Sequence, residues 1–390
     1  MIGWEFPPFM AGGLGIHCLE LTTELAKQGV EIDFYMPRME GSEGSERVGA
    51  QHRHLNIIEV EAEGGLTPYG PVGRRGYDEA FNAAVWQYNQ RVKQAFSSRG
   101  VDLVHGHDWI TADAAEAVAR KIGKPFVWTC HSTEHDRSAG FFPQQWIIDA
   151  ERRATREADR VIAVSSYTRQ QLIDRYGGDP SKIDAVHNGV DFSKFANHVH
   201  RDYARGSKNV LYLSRVSRQK GPLFFMQAAR KVLDVDPSAR FVVAGKGEML
   251  PECVEYAVRN GMVDRVTFTG FVPDAEVQRM YEGCDVYVLP SVSEPFGISV
   301  LEAMTSGLPT IVSKTTGVGE ALRHVLRAEY WDTHEMADQI IRVLDSKALR
   351  EELGRNGALE VRKFTWAACG RRTLDTYRRA AGAAPKEVAA

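Results

Sequence analysis

Short apolar runs rich in β-branched residues recur along the chain, each followed by a stretch whose apolar positions fall three or four apart. That alternation predicts a parallel sheet with helical crossovers. In the first half the strand-like runs are residues 30–36, 101–105, 126–130, 160–164 and 182–186. A polar stretch at 191–208 reads as an interdomain connection, and the pattern then restarts at 209–214, 240–244, 265–268, 284–291 and 310–313. The run at 310–313 is expected to close the second sheet, with helices from there to a frayed tail at 382–390. Residues 77–96 carry Tyr77, Phe81, Val85, Tyr88, Val92 and Phe96 near helical spacing, a stripe that predicts a core-facing helix. Helices are also expected over 16–28, 146–159 and 366–381, the second mixed in charge and expected to be a solvated face. Segments 38–53 and 64–76 are polar and glycine-rich and predict loops. The opening residues run at once into Trp4-Glu5-Phe6-Pro7-Pro8, which reads as the loop after a first strand, so a shortened first strand is expected.

A chain of 390 residues exceeds one ordinary domain, and two α/β units in tandem account for it. A net charge of −3 gives no reason to expect nucleic acid or an acidic membrane as the main partner. No apolar run reaches membrane-spanning length and no signal-peptide pattern is present. The cysteines at 18, 130, 253, 284 and 369 form no C-x-x-C pair, which argues against a disulfide framework and a structural zinc site and for a reducing, cytoplasmic location.

The richest stretch is 293–313, SEPFGISVLEAMTSGLPTIVS, where Glu294 and Glu302 lie eight positions apart around Pro295-Phe296-Gly297. Pro295 disfavours helical geometry at Glu294, so that carboxylate sits on a loop, whereas Glu302 falls inside the following helix. Gly297 lets a ligand approach the backbone as the helix opens, where unpaired N–H groups suit an anion. Strand, glycine-bearing loop and helix in that order place the stretch at the carboxyl end of a parallel sheet, the usual ligand end. Four further segments offer chemistry. Residues 10–15, MAGGLG, predict a glycine turn where backbone can approach a ligand, but they lack the third glycine of a dinucleotide fingerprint. Gly245-Lys246-Gly247-Glu248 lacks it too, with Leu250 where that glycine would stand. The strand-end segments His105-Gly106-His107-Asp108 and His131-Ser132-Thr133-Glu134 offer imidazoles. A metal centre on His105, His107 and Asp108 is one reading, although no further ligand spacing accompanies it.

Taken in order, Arg215 with Lys220-Gly221, Gly245-Lys-Gly-Glu, Gly270-Phe-Val and Glu294-x7-Glu302 resemble the family 4 retaining glycosyltransferases. MAGGLG, HGHDW, TCHSTE and HNGVD resemble the matching N-terminal half, with glycogen and starch synthases the nearest members. The resemblance implies the GT-B fold: two Rossmann-like parallel-sheet domains facing across a cleft, spanning residues 1–200 and 201–365, with a crossover helix and tail at 366–390 packing back on the first. It implies that Arg215 and Lys220 bind the donor diphosphate, that Glu294 accepts from the sugar hydroxyls, and that Glu302 accepts from the ribose. Backbone N–H groups at Phe296, Gly297 and Ile298 would face sugar or phosphate, with Gly245 at the donor site. Gly12 and Gly13 would close over the diphosphate, His131 would lie against the sugar, and Asp108 nearer the acceptor. The implied reaction moves a hexose, glucose from ADP- or UDP-glucose, to a carbohydrate acceptor such as an α-glucan, with no metal and no organic cofactor. Met10-Ala11 stand where many bacterial synthases carry a lysine before the double glycine, so a lipid or small-molecule acceptor at a membrane surface and a non-catalytic nucleotide-sugar-binding protein stay open, as does the oligomeric state.

Overall fold

A computed structural model describes residues 1–8, 12–38, 54–62, 79–97, 100–195 and 208–382. All but the first residue of the loop expected at 38–53, the loop at 64–76, most of the connection at 191–208, Met10 and Ala11, and nearly all of the tail lie outside them. The chain divides into two compact units, one of Met1–Glu134, Pro143–Gly189 and Trp366–Ala390, the other of His135–Phe142 and Val190–Thr365.

In the first unit β1 (Ile32–Arg38) pairs in parallel with β2 (Leu55–Glu61). Strands β3 (Val104–His107), β4 (Phe126–Cys130), β5 (Arg160–Ala163) and β6 (Ile183–Ala185) form a second parallel set in that order. Ile2 bridges Tyr35 of β1 and Gly106 of β3, so the expected short first strand amounts to this one pairing residue. β2 was not foreseen: Asn56, Glu59 and Glu61 interrupt its apolar run between two loop segments.

The helix Glu79–Ala95 buries Phe81, Val85, Tyr88 and Val92, the stripe read from the spacing. The helix Gly13–Lys27 starts earlier than expected and takes in Gly13 and Gly15, leaving Gly12 as its N-cap. The helix Gln145–Glu157 corrects the expectation of a solvated face, because Ile147, Ile148, Glu151 and Ala154 are buried. Apart from Glu151, its charged residues are exposed or half-exposed. Ser165 caps the helix Ser166–Tyr176 by accepting from the Thr168 N–H. The helix Trp366–Ala380 packs on Gly13–Lys27 so closely that a Cβ at Gly370 would stand 2.9 Å from the Glu24 Cβ. Chain continuity alone would have grouped it with the second unit; packing groups it with the first.

The second unit holds a six-stranded parallel sheet from β7 (Asn209–Leu213), β8 (Arg240–Ala244), β9 (Val266–Gly270), β10 (Val286–Leu289), β11 (Thr310–Ser313) and β12 (Leu326–Ala328). Their order is β12-β11-β10-β7-β8-β9. The sheet therefore does not close at β11. β12 extends it by three residues whose central Arg327 hides the strand from an apolar-run reading. β7 and β10 are neighbours although the chain leaves them in opposite lateral directions, and beyond their carboxyl ends lies the position where doubly wound sheets bind ligands. Among the described residues no helix is long and apolar enough to cross a membrane, and all five cysteines are buried and none is in a disulfide.

Candidate active site

The loops after β7 and β10 converge at that crossover. After β7 the chain makes a 3-10 turn over Arg218–Lys220 and reverses at Gly221 before the helix Pro222–Val235. Gly221 has φ +63°, and a Cβ there would stand 2.1 Å from the Pro290 carbonyl oxygen at the end of the β10 strand run. Only glycine lets the two loops come this close. The Val292 N–H donates to the Gln219 carbonyl at 2.8 Å, and the Lys220 ammonium sits directly on the Glu294 carboxylate. Both side chains are nearly buried, at 12% and 9% exposure, so the pair is held in a low-dielectric pocket of the loops. Glu294 is fixed on its other side: its N–H donates to Thr315 and its carbonyl accepts from Gly317, both on the loop after β11.

Arg215 stands on the same loop as Lys220. The next loop, after β8, is tied to it through Val216 N–H to Lys246 O at 2.9 Å and Arg218 N–H to Glu248 Oε1 at 3.0 Å. Gly245 adopts φ +140°, and a Cβ there would meet the Ser214 carbonyl at 1.9 Å. Its glycine is thus required by the approach of two strand ends, before any ligand is considered.

Gly297, at φ +102°, opens the helix Ile298–Thr305 with no side-chain cap, leaving the backbone N–H groups of its first turn to other acceptors. Phe296 is buried. Glu302 lies one and a half turns along and accepts from the Tyr281 hydroxyl at 3.0 Å. Burial pushes its pKa up to about 6, the Tyr281 hydrogen bond opposing the shift only in part. A folded value above the ordinary 4.5 means the folded state binds the proton more tightly than the unfolded chain. The cost is absent at low pH, where both states are protonated. It grows as pH rises from the unfolded value and is complete above the folded one. Glu302→Gln is therefore expected to stabilise the protein by up to about 2 kcal/mol at about pH 8 and by almost nothing near pH 4, read by urea unfolding at the two pH values.

In the first unit, side chains gather at the carboxyl ends of β3 and β4. Asp108, the first residue of the helix Asp108–Ile122, has φ +57° and is 7% exposed. Its Oδ1 accepts from the His131 N–H at 2.8 Å and the Ser132 N–H at 3.4 Å, and its carbonyl accepts from Trp128 Nε1 at 3.0 Å. The carboxylate implied to lie near the acceptor thus shapes the turn that carries His131. Removing it takes a charged acceptor from two backbone donors in a half-buried turn, so Asp108→Ala should cost about 1–3 kcal/mol in denaturant unfolding.

His105 points elsewhere, its ring nitrogens engaged by Thr129 and Tyr377, both at 2.7 Å. The candidate metal set of His105, His107 and Asp108 is therefore not brought together as a set of available ligands. His107 Nδ1 instead lies 3.1 Å from His131 Nε2, and the His17 ring lies 4.4 Å from the His131 ring, centroid to centroid. Burial lowers the pKa of all three, that of His131 to about 3, so the imidazoles are neutral. His17, one position on a mostly apolar helix face, was not singled out in the sequence, and its partner Asn188 was read only as part of HNGVD. Also unforeseen is the hydrogen bond from the Ser293 hydroxyl to the Asp136 carboxylate, both buried, which ties segment His135–Phe142 to the Glu294 loop within the second unit.

The doubly wound sheet of the second unit thus carries a cation–carboxylate pair at its crossover. Residues 11–194 match the model of Glycosyltransferase Family 4 and residues 197–360 that of Glycosyl transferases group 1; the chain belongs to this glycosyltransferase family and has its GT-B fold. It is 28% identical to an uncharacterized glycosyltransferase of Methanocaldococcus jannaschii, over 97% of each chain. It is 26% identical to the glycogen synthase of Mycobacterium tuberculosis, over 97% of this chain and 93% of the relative. Among solved structures, sucrose-phosphate synthase from Thermosynechococcus elongatus superposes with a TM-score of 0.77 at 21% identity, over 97% of each chain. Anabaena HepE in complex with UDP-glucose superposes with a TM-score of 0.73 at 18% identity, over 97% of this chain and 98% of that one.

Proposed function

We propose that this glycosyltransferase acts with retention of configuration, moving glucose from a nucleoside diphosphate, ADP or UDP, to a carbohydrate acceptor of the α-glucan type in the cytoplasm. The observation that carries the proposal is the Lys220–Glu294 pair beyond the carboxyl ends of β7 and β10. Leaving-group departure concentrates negative charge on the diphosphate while the sugar becomes oxocarbenium-like. A cation near 4 Å from a phosphate oxygen is worth about 4 kcal/mol at an effective dielectric of 20, before desolvation is counted. Arg215 and Lys220 supply two such charges, and the N-terminus of the helix Ile298–Thr305 adds about 0.3–1 kcal/mol. In this scheme Lys220 stays between the diphosphate and Glu294, and Glu294 accepts hydrogen bonds from the sugar hydroxyls. Glu302 accepts from the ribose, Gly12 and Gly13 pair with the diphosphate, and His131 donates toward the sugar. The departing phosphate oxygen takes the acceptor's proton on the face it leaves, so no second carboxylate is needed as a nucleophile. HepE, named as a UDP-glucose complex, and the glycogen synthase relative support the donor and acceptor classes.

The test is a donor panel of ADP-, UDP- and GDP-sugars scored for release of nucleoside diphosphate with and without glycogen. Release that rises with glycogen supports the reading. Release that glycogen leaves unchanged moves the acceptor to a lipid or small molecule, and no release from any donor leaves a non-catalytic binding protein.

A further inference from the structure

Tyr281, near the end of the helix Asp274–Glu282, is fully buried and brings its hydroxyl to 3.0 Å from Glu302 Oε2. It stands 21 positions before Glu302, on a different element of the second unit. We propose that Tyr281 is a positioning residue for the donor's ribose, holding the Glu302 carboxylate in the one orientation that meets the ribose hydroxyls. The inference rests on the reading of Glu302 as acceptor from the ribose, and deepens it.

The direction of the hydrogen bond is fixed. Burial pushes the pKa of the Tyr281 hydroxyl well above its ordinary value, so it keeps its proton at neutral pH, whereas an ionised carboxylate can only accept. Two acceptors lie within reach of that single hydrogen, Glu302 Oε2 at 3.0 Å and the Ser299 carbonyl at 3.3 Å, and the nearer, charged one takes it. The ring is fixed as well. Phe195 and Tyr287 meet it in T-shaped geometry, their centroids 6.0 and 5.9 Å away. Tyr287 donates to the Leu213 carbonyl at the end of β7 at 3.1 Å and accepts from Ser299 Oγ at 2.9 Å. The helix Ile298–Thr305 is thus pinned both to β7 and to the helix Asp274–Glu282. Glu302 itself is gripped at one oxygen. Among the described residues its Oε1 takes no hydrogen bond, and the side chain is half-buried rather than enclosed.

A glutamate in a helix otherwise samples several rotamers, and freezing them on binding costs affinity. A fixed donor behind the carboxylate meets that cost before the ligand arrives. It also makes the site demand hydroxyls, because a ligand without them leaves a desolvated carboxylate poorly paired. The charges around Glu302 are Lys194, which favours the ionised form, and its ion-pair partner Asp274, which opposes it. Tyr281 acts through Glu302 and is not a catalytic residue.

Calorimetric titration of ADP and UDP, and of their dideoxyribose counterparts, into wild type, Tyr281→Phe and Glu302→Gln tests this. Tyr281→Phe removes one oxygen and keeps the packed ring, and circular dichroism checks its fold. At about pH 8 the wild type is expected to favour the ribose form at least about tenfold, and Tyr281→Phe about threefold or less, with the dideoxyribose forms binding both alike. In the wild type the preference rises with pH through a midpoint of about 6; the Tyr281 hydrogen bond lowers the Glu302 pKa, so its loss should move that midpoint upward. A full ribose preference in Tyr281→Phe that is lost in Glu302→Gln would overturn the inference and leave the ribose reading standing. Equal weakening of both nucleotide forms, or an unmoved midpoint, would make the hydroxyl structural and overturn it too. No ribose preference in the wild type would remove the reading of Glu302 and the inference together.

Discussion

Replacing Lys220 by alanine is expected to lower glycosyl-transfer turnover at least about a hundredfold, equivalent to about 2.7 kcal/mol of transition-state stabilisation. The same change should also destabilise the protein. Lys220 and Glu294 face each other with 12% and 9% of their side chains exposed, so removing the cation leaves a desolvated carboxylate without its partner. Breaking a fully buried pair costs about 3–5 kcal/mol, and the residual exposure here puts the expected loss at about 1–4 kcal/mol. The two effects separate in a double-mutant cycle. Glu294→Gln on the Lys220→Ala background removes the stranded charge and should recover most of the stability lost to Lys220→Ala in denaturant unfolding. It should recover none of the turnover, because both diphosphate charge and sugar contacts are then missing. A double variant that regains activity along with stability would make the pair a structural clamp.

The second large effect is on folding. Gly245→Ala is expected to cost at least about 3 kcal/mol, because backbone at φ +140° is strained for any side chain and the new Cβ would sit 1.9 Å from the Ser214 carbonyl. Gly221→Ala faces the same obstacle at 2.1 Å from the Pro290 carbonyl. Gly261 is the control: φ is +63° with nothing within 4 Å, so alanine there should cost only about 1–2 kcal/mol. Urea midpoints for the three variants check the ordering. Equal losses at all three would mean that the loops after β7, β8 and β10 are not packed against one another as described.

These two expectations show where the sequence was informative. The stretch around Glu294 and Glu302 was legible because Pro295 and Gly297 dictate local backbone geometry that no distant contact needs to supply. Both sheets were legible wherever a strand was a continuous apolar run buried on two faces, as in β7, β8 and β10. β2 and β12 were not, since Glu59 and Arg327 break their runs and only pairing with a neighbour makes them strands. The glycine at 245 was read for its ligand, whereas its first duty is to let β7 and β8 end side by side. Long-range partners were invisible in principle. Nothing local to His17 announces His107 and His131, and nothing near Ser293 announces Asp136. Asp108 stands out in the sequence beside two histidines, but its task in the turn, holding the His131 and Ser132 N–H groups, depends on the register of β3 against β4.

The central claim is that the cationic loop after β7 holds the diphosphate of the donor. Calorimetric titration of nucleoside diphosphate into the wild type and into Arg215→Ala addresses it directly, since Arg215 lies on the same loop as Lys220. The account predicts that Arg215→Ala binds the diphosphate at least about tenfold more weakly, about 1.4 kcal/mol, while nucleoside without phosphate binds both proteins alike. Unchanged affinity for the diphosphate in a folded Arg215→Ala protein would contradict it.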